Sequence, residues 1–439
     1  MASADALPVS PAEALDAFRP TLGREGVGLA VSGGADSLSL LHLWADARDL
    51  DPRLPPAVVL TVDHRLRAAS AEEAAFVGRE AAARGLDHRI LTWDGAKPTG
   101  NLQAAARTAR RGLLTAAARD LGLDTLLLAH HADDQAETFL LRLARGSGVV
   151  GLSAMAAARW EAGLLVARPF LGLPKARLVA TLRARGTTWV EDPSNGDERF
   201  DRARLRRAMP DLAELGLDRD RLVATAAAMA RAAVAIETLV DDLAGRAVVA
   251  HSSGFARVEA ASWRAAPEEV RLRLLARLVT WMSGCDYGPR LDALSRLDAD
   301  FAEDGGGHRV RTLAGVRIEA RRGWLWFAPE AGRAPSVRLE PGGRVRLGGR
   351  VLSLPRTAPG AVELRPLGAE GRRALVAAGG GTAMSFGDPR PSAALIEGLT
   401  AVFIGDGRLE PAGLAGEGAA GVEAQAFRFD GASPVTISS

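Results

Sequence analysis

The segment Gly28-Leu29-Ala30-Val31, running directly into Ser32-Gly33-Gly34-Ala35-Asp36-Ser37, constrains this chain more than any other. A short apolar run of strand character ends in a glycine-rich turn, and Leu40, Leu41 and Trp44 then give the following helix an apolar face. The setting is strand, tight turn, helix N-terminus. Two glycines let the backbone approach an anion closely, and the first helical N–H groups plus the helix dipole favour negative charge. Ser32 and Ser37 add hydroxyl donors. A Walker A loop is excluded, because it needs a wider glycine spacing and a lysine before Ser/Thr. Asp36 in a phosphate cradle repels the anion unless a cation intervenes, which points to Mg²⁺ between Asp36 and the phosphates. A helix-capping turn needs only one Ser or Asp, not the whole six-residue string.

Residues 1–207 alternate short apolar runs with amphipathic stretches, the pattern of a parallel α/β sheet. Strands are expected over residues 26–31, 57–62, 89–93 and 125–129, with helices over 38–47, 71–84 and 102–120. Each strand ends where polar, chemically capable residues begin, and open α/β sheets bind ligands outside the carboxyl ends of their strands. With 439 residues the chain exceeds one ordinary domain. A mainly helical middle domain is expected over 208–332, ending in a hairpin of two strands within 308–328 joined near Arg321-Arg322-Gly323. A small β-rich C-terminal domain over 333–439 follows the linker at 330–335, with short strands at 337–339, 351–354 and 401–404 and small-residue loops at 379–381 and 413–421.

Composition narrows the class. The net charge is only +2 and all but two of the 55 basic residues (Lys97 and Lys175) are arginine. With one tyrosine and one cysteine, few groups titrate between neutrality and high pH, so the pI of about 9.1 does not mark a strongly basic protein. Cys285 alone forms no intrachain disulfide and no Cys-x-x-Cys site, which fits a cytoplasmic protein. No basic, apolar leader opens the chain and no unbroken run of about 18 apolar residues occurs, so neither a secretory signal nor a membrane span is expected.

Further polar strings follow. Asp134 and Glu137 lie three apart near a helix start, so their carboxylates share one face and complement the dipole. Leu140 and Leu143 supply that helix's buried face, and Gly146 is its stop. Beside a phosphate cradle such a pair can hold ammonium groups, help deprotonate an amine, or bind Mg²⁺. Arg107, Arg110 and Arg111 are three and four apart, and so converge on one helical face. His130 and His131 end the fourth strand, either hydrogen-bonded there or acting at a nucleotide; with no cysteine nearby, zinc is not expected. Residues 199–207 form the densest basic run, which either clamps phosphates or reaches into the site, or is an ordinary solvated face.

The six-residue loop matches the SGG-x-DS signature of PP-loop ATP-pyrophosphatases, an adenine-nucleotide alpha-hydrolase-like fold. Four more strings, in order, resemble one family within them, tRNA(Ile)-lysidine synthetase. They are Val62-Asp63-His64-Arg65-Leu66-Arg67, Gly100-Asn101-Leu102-Gln103-Ala104-Ala105-Ala106-Arg107, Ala129-His130-His131-Ala132-Asp133-Asp134-Gln135-Ala136-Glu137-Thr138, and Glu191-Asp192-Pro193-Ser194-Asn195 with Arg199-Phe200-Asp201-Arg202. The resemblance implies ATP as cosubstrate, with Ser32, Gly33, Gly34, Ala35, Asp36 and Ser37 on its phosphates. It implies L-lysine and the CAU-anticodon isoleucine tRNA as substrates, the wobble cytidine being adenylated and then attacked by the lysine amine. Asp36, Arg110, Asp134 and Glu137 are the catalytic residues it implies. Arg110 matches the family's catalytic arginine by its position relative to Asp134, and would stabilise charge on the α-phosphate or on the activated cytidine. The chain departs from the family at Ala203, where members usually carry Asn.

The likeness thins beyond residue 207. Leu364-Arg365-Pro366-Leu367-Gly368 resembles a C-terminal motif of the family, and Arg372 and Arg373 stand where basic residues would meet tRNA. A homodimer is compatible with this pattern. The competing expectations are a tRNA thiolase, an amidotransferase-type synthetase, or an RNA-binding protein with a degenerate loop. The lone Cys285 and the absence of an evident glutaminase nucleophile weigh against the first two, and the intact loop against the third.

Overall fold

A computed structural model describes residues 7–66, 69–95, 97, 100, 102–161, 163–191, 201–251, 253–285, 288–302, 308–377, 390–403, 409–414 and 423–426. The chain divides into two compact units between Ala233 and Val234.

In the first unit the elements run α1 (Pro11–Phe18), β1 (Val27–Ala30), α2 (Ala35–Leu50), β2 (Ala57–Asp63), α3 (Ser70–Ala83), β3 (Asp87–Thr92), α4 (Leu102–Asp120), β4 (Thr125–Leu127), α5 (Ala132–Ala144), α6 (Val149–Leu152), β5 (Ala158–Glu161), β6 (Leu164–Ala167), α7 (Lys175–Ala184), α8 (Asp201–Glu214) and the start of α9 (Arg219–Ala247). The sheet order is β3-β2-β1-β4-β6-β5. All pairs are parallel except β5, which lies antiparallel on β6 at the edge. β1, β4 and β6 are buried throughout and apolar but for Thr125, as strands covered on both faces are. The sequence pattern placed the first four strands and the three intervening helices. It passed over β5 and β6.

The chain fills the sheet from β1 outward to β3 and then returns to the other side of β1 with β4. This reversal is a topological switch point, and the loops after β1 and β4 flank its crevice. One face is filled by α1, α2 and α7 around Phe18, Trp44 and Phe170, with the Phe18 and Trp44 rings edge-on at 4.9 Å. Leu40, Leu41 and Trp44 are wholly buried, so the expected apolar face of α2 is real. The other face carries α4 through Leu114, Ala117 and Ala118. A smaller core of Ala136, Phe139, Leu140, Leu222 and Ala226, with Leu205 and Met209 packed on it, clamps α8 and α9 to α5. Leu143, expected in that buried face, is half exposed instead.

The second unit continues α9 and adds β7 (Val248–Ala250), β8 (Ala256–Glu259), α10 (Ala260–Ala265), α11 (Glu268–Ser283), α12 (Leu291–Ala302), β9 (Arg309–Leu313), β10 (Val316–Arg321) and β11 (Trp324–Pro329). The five strands form the sheet β7-β8-β11-β10-β9. Along β11, Leu325 and Phe327 enter the core under α11 and α12, while Trp326 and Ala328 enter a second core on the opposite face, the period-two alternation of a strand. The expected pair of strands is three. Arg322 and Gly323 make one turn with positive φ at both positions, and Ala314 (φ 50) with Gly315 (φ 76) make another that the sequence pattern did not reveal. The region up to Met282 is interrupted by β7 and β8 rather than helical throughout.

The remaining elements are β12 (Val337–Leu339), β13 (Arg344–Leu347), β14 (Arg350–Ser353), β15 (Val362–Pro366), α13 (Gly368–Ala377), α14 (Ala393–Glu397), β16 (Thr400–Phe403), β17 (Leu409–Leu414) and β18 (Glu423–Ala426). They form two small antiparallel sheets, β12-β15-β16-β17 and β13-β14-β18. Gly413 lies in β17, not in a loop, and 379–381 lie outside the described residues. By length and composition alone α9 is long and apolar enough to cross a membrane, where no span was expected. Arg231, Glu237, Asp241 and Asp242 interrupt it, and Leu222, Ala226, Val240, Leu243 and Ala244 are built into cores of this chain.

Candidate functional site

The site begins at the loop after β1. Ser32 N donates to Ser37 Oγ (3.0 Å), Ser37 Oγ donates to Gly34 O (3.1 Å), and Val190 N donates to Gly33 O (2.9 Å). Gly33 has φ +85, in the region that favours glycine. Gly34 occupies the N-cap of α2 and no side chain caps that turn. The first-turn amides are therefore presented to the crevice, as an anion site requires.

Asp36 is the second residue of α2. Its Oδ2 lies 3.3 Å from Lys175 Nζ and 3.5 Å from His131 Nε2. Its Oδ1 is buried without a hydrogen-bond partner. Burial alone would raise the Asp36 pKa, but His131 and Lys175 outweigh it and hold the carboxyl below its ordinary value.

His131 sits at the N-cap of α5 with its side chain 2% exposed. Asp133 Oδ2 is 3.5 Å from Nδ1, and Asp134 Oδ2 is 3.4 Å from Nε2. Burial disfavours the imidazolium, yet Asp133, Asp36 and Asp134 together push it up to about 9. Asp134 N also approaches Nδ1, at 3.4 Å. It is the N-cap contact of α5, closed from the other side by His131 N donating to Asp134 Oδ2 at 3.2 Å. Burial raises Asp133 too, but His131, the Lys175 amide at 2.8 Å and Arg219 bring it down to about 2.

On the next turn of α5, Glu137 is almost wholly buried. Arg206 from α8 holds it with Nε on Oε1 and Nη2 on Oε2 at 3.2 Å, and reaches Asp134 Oδ1 at 3.7 Å. Burial nevertheless leaves the Glu137 pKa raised. Arg202, one helical turn earlier, donates to Thr138 Oγ1 (3.4 Å). The basic run therefore turns two arginines inward, while Arg204 pairs with Asp201 on the surface. Arg199 and Phe200 lie outside the described residues.

On α4, Arg110 is half-buried; burial and then Arg107 lower its pKa. Its charge acts on His64 after β2 and on His130 after β4. Burial pushes His130 down to about 4, with Arg168, Arg110 and Arg202 overriding the pull of Asp134, so this histidine is neutral. The two adjacent histidines thus differ in charge state. Arg111 does not join the cluster. It turns to Glu161 on β5, at 2.6 Å, a strand missed in the sequence.

The structure therefore gathers Asp36, Asp134 and Glu137 at one crevice, with Arg110 beside His130. Sequence reasoning missed Lys175, Asp133 and Arg219 and left the roles of His131 and Arg206 open. The only signal for Lys175 was its rarity in an arginine-dominated chain. A cation fits at Asp36 Oδ1, which is an unused buried acceptor. Among the described residues no group of three His, Cys, Asp or Glu could hold a metal, so phosphate oxygens and water would complete a Mg²⁺ shell, as Mg²⁺ prefers.

A parallel sheet presenting SGG-x-DS at its switch point defines a PP-loop ATP-binding protein, and residues 10–212 match the PP-loop domain family. Three relatives match over most of the chain. The tRNA(Ile)-lysidine synthase of Ruegeria pomeroyi is 43% identical over 79% of this chain and 80% of its own length. That of Bradyrhizobium diazoefficiens is 41% identical over 76% and 98%, and that of Methylobacterium sp. 44% identical over 76% and 98%. The chain belongs to the tRNA(Ile)-lysidine synthase family.

Proposed function

We propose that this chain is an ATP-dependent carbon–nitrogen ligase of the cytoplasm. It joins L-lysine to C2 of the wobble cytidine of the isoleucine tRNA that carries a CAU anticodon. The observation that carries this reading is the juxtaposition, through His131, of the phosphate loop with the α5 carboxylates. ATP cleavage and amine capture then share one crevice.

In the first step the cytosine C2 oxygen attacks the α-phosphorus and pyrophosphate departs. The Ser32–Ser37 loop and the α2 amides hold the β- and γ-phosphates. Mg²⁺ held by Asp36 would supply charge neutralisation at those phosphates. Arg110 stabilises negative charge developing at the α-phosphate or on the adenylated base. In the second step the lysine ε-amine attacks C2, AMP leaves with the C2 oxygen, and the amine gives up a proton. Asp134 and Glu137 orient the ammonium groups of lysine, and Glu137, with its raised pKa, is the better placed to accept that proton.

The test is pyrophosphate release by the purified chain. Release that requires both lysine and the CAU-anticodon isoleucine tRNA supports the reading. Release with neither present, or with glutamine or sulfide as the donor, contradicts it.

A further inference from the structure

Lys175 has no role in the scheme above, yet its position is built with care. It opens α7 behind Pro174, and its backbone amide donates to Asp133 Oδ2 at 2.8 Å. Leu178 and Leu182 are wholly buried, and Ser39 Oγ on α2 shares its proton between Ala35 O (2.9 Å) and Leu178 O (3.0 Å). The bond to Leu178 ties α7 to α2 and fixes the spacing of their N-termini. The Lys175 backbone is therefore held rigidly opposite the phosphate loop, while its side chain is 45% exposed and free to swing.

The Lys175 ammonium rests 3.3 Å from Asp36 Oδ2. His131 Nε2 lies 3.5 Å from the same oxygen. Moving Lys175 away would thus leave Asp36 Oδ2 with His131 beside it. Elsewhere this chain uses arginine for 53 of its 55 basic residues, the other lysine being Lys97. A compact point charge on a flexible stem suits a phosphate that arrives and leaves, whereas a planar guanidinium suits a fixed pair.

We propose that Lys175 is a pyrophosphate-binding residue, whose ammonium leaves Asp36 for the β- and γ-phosphates when ATP enters the loop. Resting on the ATP-cleaving reading above, this assigns Lys175 to the leaving group rather than to the nucleoside. It forms no covalent bond and moves no proton. It exchanges one anion for another, and returns to Asp36 when pyrophosphate departs.

Two measurements on the full chain test it. Inorganic pyrophosphate with Mg²⁺, and AMP separately, are titrated into wild type, Lys175→Gln and Lys175→Arg. Lys175→Gln is expected to weaken pyrophosphate about ten-fold or more, the loss of one charge-assisted contact, with AMP binding unchanged and Lys175→Arg retaining most of the affinity. Equal pyrophosphate affinity in a folded Lys175→Gln overturns the proposal, as does an equal loss for both ligands, which marks a structural role. The second measurement needs no variant. With only two lysines in the chain, an amine-reactive label read by mass spectrometry should show Lys175, and not Lys97, protected by pyrophosphate but not by AMP. Unprotected Lys175 overturns the proposal. Wild type that binds no pyrophosphate in competition with ATP overturns the ATP-cleaving reading as well; pyrophosphate binding with Lys175 unprotected removes only the lysine.

Discussion

His131 Nε2 lies 3.5 Å from Asp36 Oδ2, joining the loop after β1 to the N-cap of α5 across the switch point of the sheet. The imidazolium is enclosed by three carboxylates and is charged because of them. Its folded pKa, about 9, is above the ordinary 6.5. Stability from this charge is therefore fully present below pH 6.5 and lost as pH rises through 9, amounting to about 3 kcal/mol at most. Urea unfolding without nucleotide or Mg²⁺ should show wild type losing stability across that window and His131→Gln losing much less. Parallel curves would mean that His131 is neutral.

Asp36→Ala should lower ATP-dependent turnover by about 10²–10³-fold or more while tRNA binding persists. Retained turnover would remove Asp36 from the mechanism. Arg110→Ala should do the same, for the Arg110 charge acts at His130 on the edge of the crevice.

Arg206 and Arg204 should separate. Arg206 is bound to Glu137 and Asp134, so Arg206→Ala should cut turnover at saturating tRNA. Arg204 is 64% exposed, so Arg204→Ala should leave that rate alone and reduce the salt dependence of tRNA binding by about 1 in slope. A salt slope lowered equally by both would return Arg206 to the RNA surface.

Gly33→Ala tests the loop itself. At φ +85 an alanine pays about 1–2 kcal/mol, and its Cβ would stand 3.4 Å from Val190 and Val77. ATP affinity should fall along with the melting temperature. An unchanged affinity would mean that the backbone need not approach the phosphate. Trp44→Ala, in the core against Phe18, should destabilise by about 3–5 kcal/mol, read by urea unfolding.

The phosphate loop was legible because strand, glycines and helix are contiguous, and each signal is local. β5 and β6 were not, since β5 is exposed with only Trp160 as a strand marker, and β6 is four apolar residues indistinguishable from a helix turn. The inward turn of Arg202 and Arg206 follows from their four-residue spacing on α8, with Arg204 on the other face; which face meets α5 is set by Leu205 and Met209 in the shared core. Asp134 acts on both histidines, and what separates them further comes from other elements: Asp36 raises His131, while Arg168, Arg110 and Arg202 lower His130. Lys175 lies 139 residues from Asp36, and only the fold brings them together.

The central claim is tested most directly by nucleoside analysis of position 34 in CAU-anticodon isoleucine tRNA after incubation with this chain, ATP and L-lysine. The account predicts that lysidine replaces cytidine there, with one AMP and one pyrophosphate released per modified tRNA, and that Asp36→Ala abolishes it. Unmodified cytidine despite ATP cleavage, or a lysine-independent product at that position, would contradict it.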